Sequence, residues 1–357
     1  MRIAVTGTRG FPGVQGGVET HCMELYPRLA ALGCDISVYC RRPFTGPHAP
    51  ASHGCVILRH LPSPTSKHTE AIVHTLLSVI HARRNGAQLV HIHACGPALM
   101  VPLARLLGMK TVVTLHGEDY RRAKWGFAAR LALRLGEWCA GRMSHALIVL
   151  SDTAARQIKP RFPKANIFVI PNGIPSPPAA TPPPPRERMI LAVGRLTPEK
   201  GLHHLIEAWQ KWPLPGYKLV IAGGADRKDA YSEELMHRAA ASGIIMTGTI
   251  SHAELAGLYS RAALFVMPSL LEGLPIALLE AMSFGADVAV SDIPSCHLPQ
   301  LSPDDYFPPA SPHAIAMAIR HKIETGSRER VYDLSAYDWN KIAARTKDVY
   351  DYIAENL

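Results

Sequence analysis

"RIAVTGTRGFPGVQGGVET", residues 2–20, runs from a strand-length apolar segment through a glycine-rich turn into a helical pattern beginning near Val18. The same succession follows it. "DISVYC", "LVHIHAC", "TVVTLHG" and "HALIVLS" are short and rich in Val, Ile and Leu, and helix-length segments lie at 18–32, 68–84, 97–108 and 122–142. Strands that read as continuous apolar runs are buried on both faces, as in parallel sheets. Their alternation with helices predicts a doubly wound α/β domain.

That domain accounts for only half of the 357 residues, and a chain of this length is expected to divide into two. Residues 171–188, "PNGIPSPPAATPPPPRER", hold eight prolines in eighteen positions, a density that neither a helix nor a central strand accepts. The stretch is predicted to be a stiff extended linker. Beyond it the alternation resumes with "MILAVGR", "KLVIAGG", "IIMTG", "ALFVMPS" and "DVAVSD", separated by helices at 201–211, 231–242, 252–261 and 275–284. The expected fold class is α/β, two doubly wound Rossmann-like domains facing a cleft, at 1–170 and 189–335. A last helix at 336–357 is free to pack on either half.

Hydrophobic residues make up 47% and charged ones 19%, a globular composition. Seven scattered cysteines without a C-x-x-C spacing suit reduced thiols rather than a disulfide framework or zinc site. Neither a secretory leader nor an apolar run long enough to span a bilayer is evident, so a cytoplasmic protein, soluble or peripheral at the inner membrane face, is expected. Charge is unevenly placed. Residues 1–170 carry 21 Lys/Arg against 8 Asp/Glu, and 171–357 carry 17 against 21. The basic half suggests an anionic partner such as lipid headgroups or a pyrophosphate-bearing substrate. No nucleic-acid motif accompanies the charge, so nucleic acid is not expected.

Several stretches carry chemistry. In "GTRGFPGVQGG" the paired Gly16 and Gly17 precede a helix N-terminus, where bare backbone N–H groups bind an anion; a tight strand-to-helix turn has the same composition. A dinucleotide loop is the rival, but the spacing is G-x-x-G-x-x-G and the second strand ends in Arg41 and Arg42, which suits only the 2′-phosphate of NADP. "LHGED" places His116 and Asp119 past a strand end, where open α/β sheets bind ligands, although a lone His there is also an ordinary half-buried side chain. His91 and His93 share one strand face. Without Cys or carboxylate at ligand spacing they read as structural or substrate-facing, not as a metal site. In "VGRLTPEKG" Arg195 and Lys200 flank a helix start, a place to stabilise a phosphate leaving group or simply a solvated basic pair.

"SLLEGLPIALLEAM", residues 269–282, sets Glu272 and Glu280 in an apolar setting. Pro275 suits the first helical position, which puts Glu272 in the preceding loop and Glu280 inside the helix. Eight residues rotate a helix about 80° past two turns, so the two do not form an acid/base pair on one atom. Glu272 is expected to accept from sugar hydroxyls and Glu280 from ribose, with the N–H groups of Gly273, Leu274 and Ile276 between them at a pyrophosphate.

Together these residues resemble the retaining, GT-B-fold glycosyltransferases of family 4. The likeness runs through the Gly16–Gly17 loop, "HGED", "PNGI", "GRLTPEKG", the E-x7-E stretch, "SDIP" and the closing "YDWNKIAARTKDVYDYI". The opening is particularly like that of transferases building bacterial surface polysaccharides. The resemblance implies that Arg195 and Lys200 hold the donor diphosphate, Glu272 and the following amides grip the sugar, Glu280 binds ribose, and His116 lies beside the sugar. It further implies that the base stacks near Thr249 and Ile250, that His93 and Asp119 border the acceptor, and that the last helix crosses back to the first domain. The donor would be a nucleotide sugar, UDP by preference, and the acceptor a glycan or lipid-linked molecule, with no cofactor and no metal. Two departures bear on the hinge: Pro175 replaces a usual acidic residue, and the proline linker is long. Segment 121–142, with Arg121, Arg122, Lys124 and Arg130 beside Trp125, suggests contact with an anionic membrane. On a helical projection Arg130, Arg134 and Glu137 share a face, with Trp125, Ala128, Leu135 and Cys139 largely opposite, a pattern that an ordinary surface helix shows as well. A nucleotide-sugar epimerase of the same architecture and an NADP-dependent oxidoreductase are the alternatives.

Overall fold

The computed structural model describes residues 1–14, 16–64, 66, 69–117, 120, 125–174, 184–225, 229–326 and 329–356. The chain forms two compact units, one of residues 1–173 with 337–357 and the other of 174–336. Half of the expected linker, 175–183, lies outside the described residues.

Unit 1 contains an eight-stranded sheet of β1 (Arg2–Thr6), β2 (Asp35–Arg41), β3 (Ser52–His53), β4 (Val56–Leu61), β5 (Leu89–His93), β6 (Lys110–Leu115), β7 (Ala146–Val149) and β8 (Ile167–Val169). Their order is β3-β4-β2-β1-β5-β6-β7-β8, all pairs parallel except β3 with β4. Every residue of β5 and β7 is buried, which is why these strands show no polar alternation.

One face of this sheet is covered jointly by the helix Gly17–Ala31 and the last helix, Trp339–Asn356. Cys22, Leu25, Tyr26 and Leu29 from the first meet Trp339, Ile342, Ala343, Tyr350 and Ile353 from the second in a single core. Gly173 lies so close to the Trp339 ring that a β-carbon there would sit 2.5 Å from it.

Unit 2 contains β9 (Glu187–Val193), β10 (Lys218–Ala222), β11 (Ile245–Gly248), β12 (Ala262–Met267), β13 (Asp287–Ser291) and β14 (Tyr306–Phe307) in the fully parallel order β11-β10-β9-β12-β13-β14. In both sheets the order reverses beside the first strand, between β1 and β5 and between β9 and β12. Loops leaving the two strands there diverge to opposite faces and open a crevice at their C-terminal ends.

Candidate active site

In unit 2 the reversal point is built by two loops fastened to each other. Arg195 follows β9, and the turn Pro198–Lys200 leads through Gly201 into the helix Leu202–Lys211. Gly201 has φ +63°, and a β-carbon on it would lie 2.0 Å from the Pro268 carbonyl oxygen, so a side chain is excluded both by conformation and by space. The N–H of Leu270 donates to the Glu199 carbonyl at 2.8 Å. These contacts bring Lys200 to Glu272: Nζ donates to Oε1 at 2.6 Å, and the Ser269 hydroxyl donates to the same oxygen at 2.7 Å. The expectation gave Lys200 to a phosphate and Glu272 to a sugar, and missed that each holds the other. Arg195 is half-buried one loop away.

The helix after Glu272 begins at Ile276, one residue later than expected, because the Pro275 carbonyl accepts the first bonds, from the N–H groups of Leu278 and Leu279. Gly273 and Leu274 belong to the loop before it, and the N–H groups of Ile276 and Ala277 precede the first intrahelical bond at the positive helix end. Glu280 is half-buried within this helix and accepts a hydrogen bond from Tyr259 at 3.1 Å. Burial and then the Glu280 charge raise the Tyr259 phenol well above its ordinary value, so it acts as a donor. Tyr259 was not anticipated; its only trace in the sequence is an aromatic beside an apolar strand. Thr249 is exposed and Ile250 half-buried just past β11, and Gly224 approaches Thr249 closely enough that a β-carbon would fall 2.6 Å from its hydroxyl.

In unit 1 the reversal point gathers the Gly-rich loop and the histidines. Gly7, at φ +98°, presses against β5: a β-carbon would lie 2.2 Å from the His93 carbonyl oxygen. Gly16 caps the helix Gly17–Ala31, and a β-carbon there would meet Glu19 Oε2 at 2.1 Å and the Arg9 guanidinium at 2.6 Å. Glu19 is the residue that the sequence reading passed over. It is 5% exposed and accepts from the Thr8 hydroxyl, the Arg9 N–H and the Arg9 guanidinium, tying the loop to the helix. Gly17 has open space around it and needs to be glycine for no reason of packing.

His116 is not the lone histidine it resembles in sequence. Its Nε2 lies 2.8 Å from His93 Nδ1, and its ring packs edge-on to His21 at 4.9 Å. His21 Nδ1 donates to Asn172 Oδ1 at 3.0 Å, while its Nε2 is buried without a hydrogen-bond partner. Burial keeps this group neutral: it pushes His21 down to about 4 and His91 to about 3, and drives His93 and His116 well below the ordinary imidazole range, aided by their neighbours. One nitrogen from each of His21, His93 and His116 falls within 4.8 Å of the others, a spacing a metal ion could draw together. Two of the three residues, His93 and His116, are already hydrogen-bonded to each other. Asp119 lies outside the described residues.

Two family models cover nearly the whole chain. Residues 15–176 match Glycosyltransferase Family 4, and residues 177–336 match Glycosyl transferases group 1. The chain belongs to glycosyltransferase family 4. The alpha-maltose-1-phosphate synthase of Mycolicibacterium smegmatis is 25% identical to it over 98% of this chain and 99% of that protein. Among solved structures, sucrose-phosphate synthase from Thermosynechococcus elongatus superposes with a TM-score of 0.80 at 21% identity over 99% and 98% of the two chains. Anabaena HepE in complex with UDP-glucose does so with a TM-score of 0.72 at 17% identity over 99% and 98%. The fold is GT-B, and the protein is a glycosyltransferase that takes its sugar from a nucleotide sugar.

The transferase engages residues on which the alternatives would depend. Arg41, which a 2′-phosphate would require, is buried in an ion pair with Glu70 at 2.8 Å, and Arg42 donates to the His60 carbonyl. Glu272 and Glu280 are held by separate partners, Glu272 by Lys200 and Ser269 and Glu280 by Tyr259.

The basic helix is Phe127–Met143, and its polarity differs from the expectation. Glu137 turns inward, 5% exposed, and accepts from Arg161 at 2.6 Å, whereas Leu135 turns outward. Gly136 lets this inner face approach the Cys95 carbonyl, where a β-carbon would sit 1.9 Å away. The outer face carries Phe127, Leu131, Leu135 and Trp138, exposed by 85, 59, 50 and 48%, with Arg130, Arg134 and Arg142 among them. Residues 121–124 lie outside the described residues. No described helix is long and apolar enough to cross a membrane.

Proposed function

We propose that this transferase moves a hexosyl unit from a UDP-sugar, with retention at the anomeric carbon, to a glycan or lipid-linked acceptor in synthesis of the bacterial cell envelope or its exopolysaccharide. The observation that carries the reading is the set of groups at the β9/β12 reversal point: Arg195, Lys200 held to Glu272, and the amides of the loop and helix start at Gly273, Leu274 and Ile276. Two cations and a positive helix end stabilise a departing diphosphate. Glu272 accepts from the hydroxyls of the transferred sugar, and Glu280, buttressed by Tyr259, from ribose. The bond from the anomeric carbon to the diphosphate breaks, the acceptor hydroxyl bonds to the same face, and its proton passes to the leaving phosphate oxygen.

Two further supports are the complex of HepE with UDP-glucose, for the donor, and the outward apolar stripe of Phe127–Met143, for the acceptor. Large apolar side chains interleaved with arginines suit an anionic bilayer surface, where a lipid-linked acceptor resides.

A thermal-shift panel with UDP, GDP, dTDP and ADP tests the donor, because a ligand of the native state raises the unfolding midpoint by mass action. UDP is expected to stabilise most. Turnover measured as nucleotide release is expected to persist in chelator and to fall by orders of magnitude in Arg195→Ala. Near-normal turnover of that variant overturns the assignment.

A further inference from the structure

Three imidazoles from distant parts of unit 1 face one another: His21 from the helix Gly17–Ala31, His93 at the end of β5, and His116 just past β6. Their ring centroids form a nearly equilateral triangle, 5.4 Å for His21–His93, 4.9 Å for His21–His116 and 5.1 Å for His93–His116. With a zinc–nitrogen bond of about 2.0 Å and each nitrogen about 1.2 Å from its ring centre, three tetrahedrally arranged imidazoles hold their centroids about 5.2 Å apart. The rings therefore stand at coordinating distance. One nitrogen from each lies within 4.8 Å of the others, and rotation of the rings brings the three to the spacing of about 3.3 Å that zinc requires. His93 Nδ1 and His116 Nε2, which share a hydrogen bond at 2.8 Å, part slightly to admit the ion.

The hydrogen bonding points the same way. His21 is 3% exposed and its Nε2 has no hydrogen-bond partner, a costly vacancy for a buried nitrogen. Its Nδ1 donates to Asn172 Oδ1 at 3.0 Å, which leaves the ring's lone pair on Nε2. His93 has the Tyr26 hydroxyl on its far nitrogen, Nε2. Contacts of this kind, on the nitrogen away from the ion, orient ligating histidines. His116 is half-buried where the other two are buried, so the fourth position of a tetrahedral ion is left to water or an anion.

We propose that His21, His93 and His116 form a binding site for a divalent transition metal of the zinc class, and that filling it slows the transferase. A set of three imidazoles suits Zn2+, Ni2+ or Cu2+ rather than Mg2+ or Ca2+, which take oxygen ligands. Transfer does not need the ion. A bound ion instead occupies His116 and sets a double positive charge beside it, so that this imidazole no longer serves the sugar. The slowing, though not the site itself, rests on the reading that His116 borders the substrate.

The probe is Co2+ added to the full-length protein after chelator and dialysis, because four-coordinate Co2+ absorbs strongly in the visible and the aquated ion does not. A single bound Co2+, displaced by Zn2+, is expected. His21→Phe keeps a ring in the core and is expected to abolish the absorption. Asn172→Ala leaves all three ligands in place and is expected to weaken Co2+ binding about 10- to 100-fold. Saturating Zn2+ is expected to slow native turnover about tenfold or more, with recovery in chelator, and to leave His21→Phe at its own zinc-free rate. No visible absorption, or absorption that survives both substitutions, overturns the site. Absorption lost in His21→Phe without slowing of the native protein upholds the site and removes His116 from the substrate, so the two readings fail separately.

Discussion

The Lys200 ammonium and the Glu272 carboxylate, 72 residues apart in sequence, meet at 2.6 Å where the loops after β9 and β12 cross. The pair is partly shielded, its side chains 22% and 11% exposed, and Ser269 fixes the shared oxygen. Lys200→Ala and Glu272→Gln are each expected to lower kcat/KM by about 100-fold or more, the usual scale for losing one preorganised electrostatic group. The double variant should lose less than the product of the two. Steady-state kinetics over the four proteins decide it: strict multiplicativity means that the two residues act independently.

Gly201 and Gly257 offer a matched comparison. Gly201→Ala must place a side chain at φ +63° and within 2.0 Å of the Pro268 carbonyl. It is expected to destabilise unit 2 by about 2 kcal/mol or more and to weaken nucleotide binding as Lys200 shifts. Gly257→Ala, inside the helix His252–Arg261 with nothing within 4 Å, is expected to stabilise by up to about 1 kcal/mol. Denaturant melts of the two proteins should move in opposite directions.

Acid lability should begin near neutrality. His21 and His74 are pushed down to about 4 and His91 to about 3, chiefly by burial, from the ordinary value of 6.5. Between those values the unfolded chain binds more protons than the native one, so native stability falls as pH falls. It is full above pH 6.5 and is lost progressively down to about 4 and then 3. The expected result is a thermal midpoint that is flat from pH 7 to 8 and declines from pH 6.5 downward, before most carboxylates titrate; a midpoint constant to pH 5 contradicts it.

The outward face of Phe127–Met143 makes a separate prediction. Leu131→Glu with Leu135→Glu should abolish co-sedimentation with phosphatidylglycerol vesicles while leaving UDP binding intact, and Arg130→Gln with Arg134→Gln should weaken it several-fold. Binding to uncharged phosphatidylcholine vesicles should be much weaker throughout.

The parallel strands were legible because full burial removes alternation: "LVHIH" and "ALIV" could be read directly. The strands Val56–Leu61, Ile167–Val169 and Tyr306–Phe307 and the helix Pro312–Glu324 were not identified. These strands lie at or next to a sheet edge and are short or carry polar residues such as Arg59 and His60, and their pairing is a tertiary fact. The positions of Arg195, Lys200, Glu272 and Glu280 at strand ends and helix starts could be read from local pattern. Their partners could not: Glu272 with Lys200, Glu280 with Tyr259, and His116 with His93 join residues whose proximity only the tertiary fold creates. The helix Phe127–Met143 shows the same limit. A helical projection gives angles but not which side meets Cys95, and Glu137 was therefore placed on the wrong face.

Unit 1 is discontinuous, and this bears on its synthesis. Its core begins at Ile3, ahead of unit 2 in the chain, yet Trp339, Tyr350 and Ile353 emerge from the ribosome only after all of unit 2 has been made. Until then the helix Gly17–Ala31 lacks the part of its core that the last helix supplies, a period in which nascent chains are prone to associate. The half that is translated first is the last that can close.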